Sequence, residues 1–63
     1  MIPRRIIDNL VNTFVYIYVK GIEKEFGGKI KELTAGDIIV LEDKNNNLVY
    51  IPISEVRIIT ERN

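Results

Sequence analysis

The chain has 63 residues, with nine basic and nine acidic side chains and no formal net charge. It holds neither cysteine nor histidine, which excludes disulfide staples, thiolate nucleophiles and the commonest zinc ligand. The balanced charge lacks the basic excess usual in nucleic-acid binders, although it is compatible with a local basic patch.

A chain of about 60 residues buries only ~60% of its unfolded surface and makes one small, marginal domain. Yet 46% of the residues are hydrophobic and the mean hydropathy is +0.03. That much apolar surface on so small a domain points to burial against copies of itself. No apolar run approaches the ~20 residues of a membrane helix, and no signal-peptide pattern opens the sequence. A cytoplasmic location without membrane contact is the expectation.

In chain order, Pro3 suits a first helical turn, where its missing N–H costs nothing. Ile6, Ile7, Leu10, Val11 and Phe14 recur at helical spacing as one apolar stripe. The pattern predicts a short amphipathic helix from about Pro3 to Asn12, ended by two Asn and a Thr and laid across an open end of a barrel. A plain flexible arm is the alternative. Arg4 and Asp8, four apart, would form a weak supporting pair.

Phe14 to Val19 is β-branched and aromatic throughout and predicts a strand. Val15, Ile17 and Val19 share one face; Phe14, Tyr16 and Tyr18 share the other. Lys20-Gly21 makes a turn, and Glu23-Lys24-Glu25 reads as the exposed start of a second strand. The stretch from Phe26 to Leu41 organises the rest: a bent strand, a tight turn at Thr34–Asp37, and a third strand. Phe26, Gly28 and Ile30 fall on one face, with Lys29 and Lys31 on the other. A glycine at that inner position lets the sheet bend hard or another backbone approach closely.

The third strand, Asp37 to Glu42, is apolar on both faces. Asp43-Lys-Asn-Asn-Asn is the clearest turn, and Leu48 to Ile51 returns as a fourth strand. Pro52 cannot donate to a ladder and marks an edge or the end of pairing. Ile53-Ser-Glu-Val turns tightly, as one helical turn, into a last strand, Arg57 to Thr60, with a frayed tail at Glu61-Arg-Asn. Five short strands under a helix, spanning about residues 14–60, predict a small, strongly bent antiparallel sheet closing on itself. Its open edges are the fourth and fifth strands. Exposed apolar edges invite strand addition, which a closed symmetric oligomer turns into its interface.

These residues resemble the Sm-like family. The Tyr-Ile-Tyr-Val-Lys-Gly strand and turn, the Phe-x-Gly-x-Ile-x-x-Leu of Phe26–Leu33, and Ile39-x-Leu41 are similar to its first motif. Leu48-Val-Tyr-Ile-Pro-Ile-Ser-Glu-Val-x-x-Ile is similar to the second. Hfq, the bacterial RNA chaperone family, has the same order of helix, Ile-Tyr strand, Gly-x-Ile strand and Val-Tyr segment. Small Sm-like proteins of bacteria and phages fit as well. The resemblance implies an SH3-like barrel of five strands with a short N-terminal helix. It also implies a homo-oligomeric ring of about five to seven subunits joined fourth strand to fifth, and single-stranded RNA bound around the pore. It covers nearly the whole chain, but through apolar positions and glycines that specify a fold better than a function.

The departures fall where the family's chemistry sits. The turn Thr34-Ala-Gly-Asp37 has no aromatic, and Ile38 stands where Sm proteins have Asn. Ile51-Pro52 replaces the Lys-His of Hfq and the Arg-Gly of Sm proteins. The candidate RNA contacts are therefore Arg4 and Arg5 on the helix, Asp37 in the turn, and Tyr50, Ile51 and Pro52. The candidate interface comprises Leu48, Val49, Tyr50 and Ile51 on one edge and Arg57, Ile58, Ile59 and Thr60 on the other. Tyr16, Tyr18 and Tyr50 have rings that can stack bases, but packing under the helix or in a subunit interface is the alternative. Lys29 and Lys31 are candidate phosphate contacts, or solvated surface.

Gly28-Lys29 is similar to the end of a phosphate-binding loop, but Glu23 replaces the upstream glycine and Ile30 the Ser/Thr. Asp37, Glu42 and Asp43 match no calcium-loop spacing. With no nucleophile–base pair and no metal cluster, the sequence predicts no enzyme, no metal and no cofactor. Two functions follow: an Sm-like ring that binds single-stranded RNA, or a structural or protein-interaction ring without nucleic acid.

Overall fold

The computed structural model describes residues 1–62. Helix α1 (Arg4–Asn9) is followed by strands β1 (Phe14–Val19), β2 (Glu25–Leu33), β3 (Ile38–Glu42) and β4 (Leu48–Pro52). A single turn of 3-10 helix (Ile53–Glu55) then leads into β5 (Val56–Glu61). All pairings are antiparallel, in the order β4-β3-β2-β1-β5.

The longest strand, β2, belongs to both halves of the sheet. Glu25 to Lys29 pair with β1, whereas Lys29 to Leu33 pair with β3. Between Ile30 and Glu32 the register against β3 shifts, and such an irregularity bends a strand and increases its twist. Gly28 stands immediately before this bend. A Cβ built there would collide with the backbone carbonyl oxygen of Glu42 and lie 3.1 Å from Leu41 Cγ. The expected close approach of another backbone is therefore made by β3. A second register shift, between Tyr18 and Val19 against β5, adds curvature at the other side.

The turns follow their chemistry. Gly21 takes φ +74° after Lys20. At the β3–β4 hairpin the Asp43 carboxylate accepts from the amides of Asn45 and Asn47, each at 2.9 Å. Asn46 sits in the left-handed region there, at φ 65°, which asparagine tolerates better than most residues.

The core forms on the concave side of the sheet. Ile7 of α1, Val15 and Ile17 of β1, Ile30 of β2 and Ile39 and Leu41 of β3 are buried together. Ile51, Ile53 and Val56 complete the cluster. The period-two alternation read from the sequence holds in β1 and in the first half of β2, where Phe26 packs against this core.

Four expectations about the extent of the elements need correction. The helix is shorter than Pro3–Asn12: it ends at Asn9, because Asn12 turns left-handed and donates its amide to the Ile30 carbonyl at 2.7 Å. Its stripe is narrower too, since Ile6 is exposed and Phe14 lies exposed in β1, leaving Ile7, Leu10 and Val11 against the core. Glu23 and Lys24 precede the second strand, which begins at Glu25. The tail is paired further than expected: β5 continues through Glu61, and the Arg62 amide donates to Phe14. Asn63 lies outside the described residues.

The sheet does not close on itself. Among the described residues no pairing joins β4 to β5, which are the two ends of the strand order. The 3-10 turn carries the chain from one end of the sheet to the other. Its first amide, Ile53, donates to Asp37 in the β2–β3 turn, and its last carbonyl, Glu55, accepts from Lys20 after β1.

Gly28→Ala should cost about 1–3 kcal/mol, because the obstacle is backbone that cannot swing aside. Gly36→Ala, which meets only Thr34 Oγ1 at 3.9 Å, should unfold close to wild type. Urea midpoints of the two variants check the contrast.

Candidate functional site

At one end of the sheet α1 is tied to the β2–β3 turn. The Arg4 guanidinium donates to the Asp37 carboxylate and to the Thr34 carbonyl, the latter at 3.0 Å. Arg4 thus pairs with Asp37 and not, as its spacing suggested, with Asp8. Both side chains are about half exposed, so the pair contributes little to stability; what it does is orient the helix start over the turn. The turn is held from within as well. The Thr34 hydroxyl accepts from the Ile38 amide at 3.1 Å, and the Asp37 amide donates to the Thr34 carbonyl at 3.1 Å. Asp37 itself sits at φ 63°, a conformation that aspartate visits more readily than most residues.

Pro52 lies opposite Ile38 in the β3–β4 register, so Arg4, Asp37 and Pro52 come to the same end of the fold. Arg5 follows on α1 and is exposed. Tyr50, one alternation back along β4, is 63% exposed. Ile51 does not belong with them. At 4% exposure its side chain is inside the core, because period-two alternation turns it inward between Tyr50 and Pro52.

The free edges sort their side chains too, strictly by alternation on β4 and with one irregularity at Arg57 on β5, where the register against β1 shifts. On β4, Leu48, Tyr50 and Pro52 are exposed, whereas Val49 and Ile51 turn to the core. On β5, Ile59 packs against the core while Arg57, Ile58 and Thr60 are exposed. Ile58 is thus the outward member of the Ile58–Ile59 pair, at 51% exposure. Val40, the outward residue of β3, is already 93% covered within the subunit (7% exposed). Of the sheet's exposed large apolar side chains, Leu48, Tyr50 and Ile58 lie on the two edge strands and Phe14 on β1.

The outer face of β1 carries Phe14, Tyr16 and Tyr18 in a row, on the side away from the core. None of the three belongs to the core cluster that Ile7 of α1 joins. The Lys29 ammonium lies 5.7 Å and the Arg62 guanidinium 5.9 Å from the Phe14 ring centre. Tyr16 spreads over Gly27, where an added Cβ would meet its ring at 3.1 Å. The Tyr18 hydroxyl donates to Glu25 Oε2 at 2.8 Å.

Beside Tyr18, between the β1–β2 turn and β5, lies an open hollow of about 480 Å³. Ile22, Arg57 and Ile58 are among the residues that line it. Sequence reasoning missed this feature. Its only signal was Ile22, an apolar residue in an otherwise polar turn. Among the described residues no cluster of acidic side chains is placed to hold a metal ion, and no helix is long and apolar enough to cross a membrane.

The hydrogen bond to Glu25, with lesser contributions from burial and from the Glu25 charge, raises the Tyr18 pKa above the usual phenol value of 10.0. Folding therefore holds this proton more tightly than the unfolded chain does. The stabilisation is complete below pH 10 and is lost as pH rises through the folded pKa. Glu25→Ala should bring Tyr18 ionisation to lower pH, read as earlier appearance of phenolate absorbance.

This architecture has a counterpart among solved structures. The chain is similar to an Sm-like protein of Archaeoglobus fulgidus, with a TM-score of 0.73 and 17% sequence identity. The match covers 98% of this chain and 96% of that one. At that identity the likeness concerns the fold, which is Sm-like: a bent five-stranded antiparallel sheet with one short N-terminal helix. No curated protein matches the chain. Residues 4–62 match the model of a family described as Domain of unknown function (DUF6897), and the chain belongs to that family.

Proposed function

We propose that this chain acts as a single Sm-like domain that assembles edge to edge into a homo-oligomeric ring of about five to seven subunits. Single-stranded RNA is the ligand proposed for the ring's rim. One observation carries the assembly: the sheet ends in two different unpaired edges, and exposed Leu48, Tyr50 and Ile58 lie on those two strands. Unpaired edges with apolar side chains attract further strands. A contact between two unlike edges repeats from copy to copy, and only closure into a ring makes it finite. In this reading β4, through Leu48, Tyr50 and the backbone of Val49 and Ile51, pairs with Arg57 to Thr60 of a neighbour.

The RNA reading rests on the Sm-like fold, an argument by analogy, together with Arg4, Arg5, Asp37, Tyr50 and Pro52 at one rim. Repeated around a ring, two arginines per subunit form a circle of charge. A second reading, a structural or protein-interaction ring without nucleic acid, is favoured by the capture of Arg4 by Asp37 and Thr34. An arginine already paired with a carboxylate presents little net charge to a phosphate.

Light scattering should give an oligomer at micromolar concentration, whereas Ile58→Lys should give a folded 7.3 kDa monomer, because Ile58 is half exposed within the subunit. A monomeric wild-type protein would contradict the ring. Oligo-U and oligo-A titrations across salt test the ligand: phosphate contacts make affinity fall steeply with salt. Replacing Arg4 and Arg5 with Ala should flatten the slope by about one for each lost contact. Asp37→Asn, which keeps the left-handed backbone accessible, should steepen it. An assembled ring that binds neither oligomer at low salt is the structural ring of the second reading.

A further inference from the structure

The hollow beside β5 is larger than edge-to-edge pairing requires. Pairing of two strands uses backbone groups and the side chains directly across the ladder. The hollow extends past Ile58 to Tyr18 on β1 and to Ile22 in the β1–β2 turn. Ile22 is 48% exposed, in a segment with no strand pairing of its own. Its neighbours Glu23 and Lys24, with Arg57 opposite, put charged groups around these apolar side chains. An occupant of this hollow needs an apolar body and a polar tip.

We propose that the hollow is a socket for the Tyr50 side chain of a neighbouring copy of this chain. The proposal rests on the ring reading above and extends it from the strand edge to the β1–β2 turn. It makes Tyr50 an interface residue and leaves Arg4, Arg5, Asp37 and Pro52 as the rim's RNA contacts. Of the exposed side chains on β4, Tyr50 alone has the required chemistry. Its ring is an apolar body and its hydroxyl a hydrogen-bonding tip. Leu48 would bring no polar group to the charged rim, leaving those groups to lose water without a partner.

The faces also agree. Tyr18 and Ile58 lie opposite one another in the β1–β5 register, both turned away from the core. Tyr50 is likewise turned away from the core on its own strand. A neighbour's β4 laid against β5 continues the sheet and puts all three on one surface. The added strand lies about 4.8 Å beyond β5. A tyrosine ring spans that spacing across Ile58, bringing its hydroxyl toward the Tyr18–Glu25 hydrogen bond and the Ile22 wall. Ile58 then becomes the floor of a shared contact, and the site is incomplete in an isolated subunit.

The chain has no cysteine of its own, so introduced thiols report cleanly. Tyr50→Cys and Ile22→Cys variants, co-expressed and treated with a short bismaleimide, should give a cross-linked dimer that neither variant gives alone. The same pair carrying Ile58→Lys sets the collisional background. In a second measurement, Ile22→Asp and Tyr50→Ala should each raise the concentration of half-assembly about tenfold or more. Combined, they should do little more than either alone, since both remove one contact. Circular dichroism checks that Ile22→Asp, a substitution at an exposed turn, leaves the fold intact. A wild-type ring with no cross-link above background, or with additive effects of the two substitutions, overturns the socket and leaves the ring standing. A wild-type monomer overturns both.

Discussion

The backbone of β2 passes so close to that of β3 at Gly28 that no side chain fits between them. Everything else in the subunit depends on that approach. It lets one strand turn sharply enough to pair with β1 over its first half and with β3 over its second. Without the bend, β1 and β3 would lie in one flat layer and their inward residues would face water. With it, Val15 and Ile17 from one half meet Ile39 and Leu41 from the other around Ile30. A single missing Cβ thus allows a nine-residue strand to serve two halves of a core.

So small a core leaves little margin. A domain of this size supplies a few kcal/mol of net stability at best, and here it is neither cross-linked by disulfides nor anchored by a metal cluster among the described residues. Two devices compensate locally. The turns are closed by their own side chains, Asp43 in one and Thr34 in another. The 3-10 turn is bonded at its start to the β2–β3 turn and at its end to the residue after β1. It works as a crosspiece between the two margins of the open sheet. The outward residues of β4 and β5 leave apolar surface at those margins, where assembly can cover it.

Most of the fold was legible because it rests on short-range signals. Alternation separated Val15 and Ile17 from Tyr16 and Tyr18 onto opposite faces, and Asp43 to Asn47 announced a turn by composition alone. Which face turns inward is decided by the strands that pack across it. The inner position of Gly28 pointed to a hard bend or a close backbone approach, and the contact with the Glu42 carbonyl makes it the latter, beside a bend. The helix was overestimated because Leu10 and Val11 extend the helical stripe, whereas the left-handed Asn12 that ends it is fixed by a long-range bond to Ile30. Arg4 illustrates the same limit at the candidate site. Its spacing to Asp8 is visible in the sequence, but Asp37, 33 positions away, is brought nearer by the fold. The hollow beside Ile22 was illegible for a similar reason: its walls come from three segments that only the β1–β5 pairing unites.

That β1–β5 pairing also governs when the domain can form. The bond from the Thr60 hydroxyl to the Tyr16 carbonyl joins residues 44 positions apart, and β5 is the last strand of the sheet to be synthesised. As the chain leaves the ribosome, β1 through β4 can associate, but one flank of β1 stays bare until β5 arrives. Contacts this distant in sequence slow folding, because the loop must close before they can form. The nascent chain therefore passes through a stage in which β1 and β4 are both unguarded edges, and β5 removes one of them only once it has been synthesised.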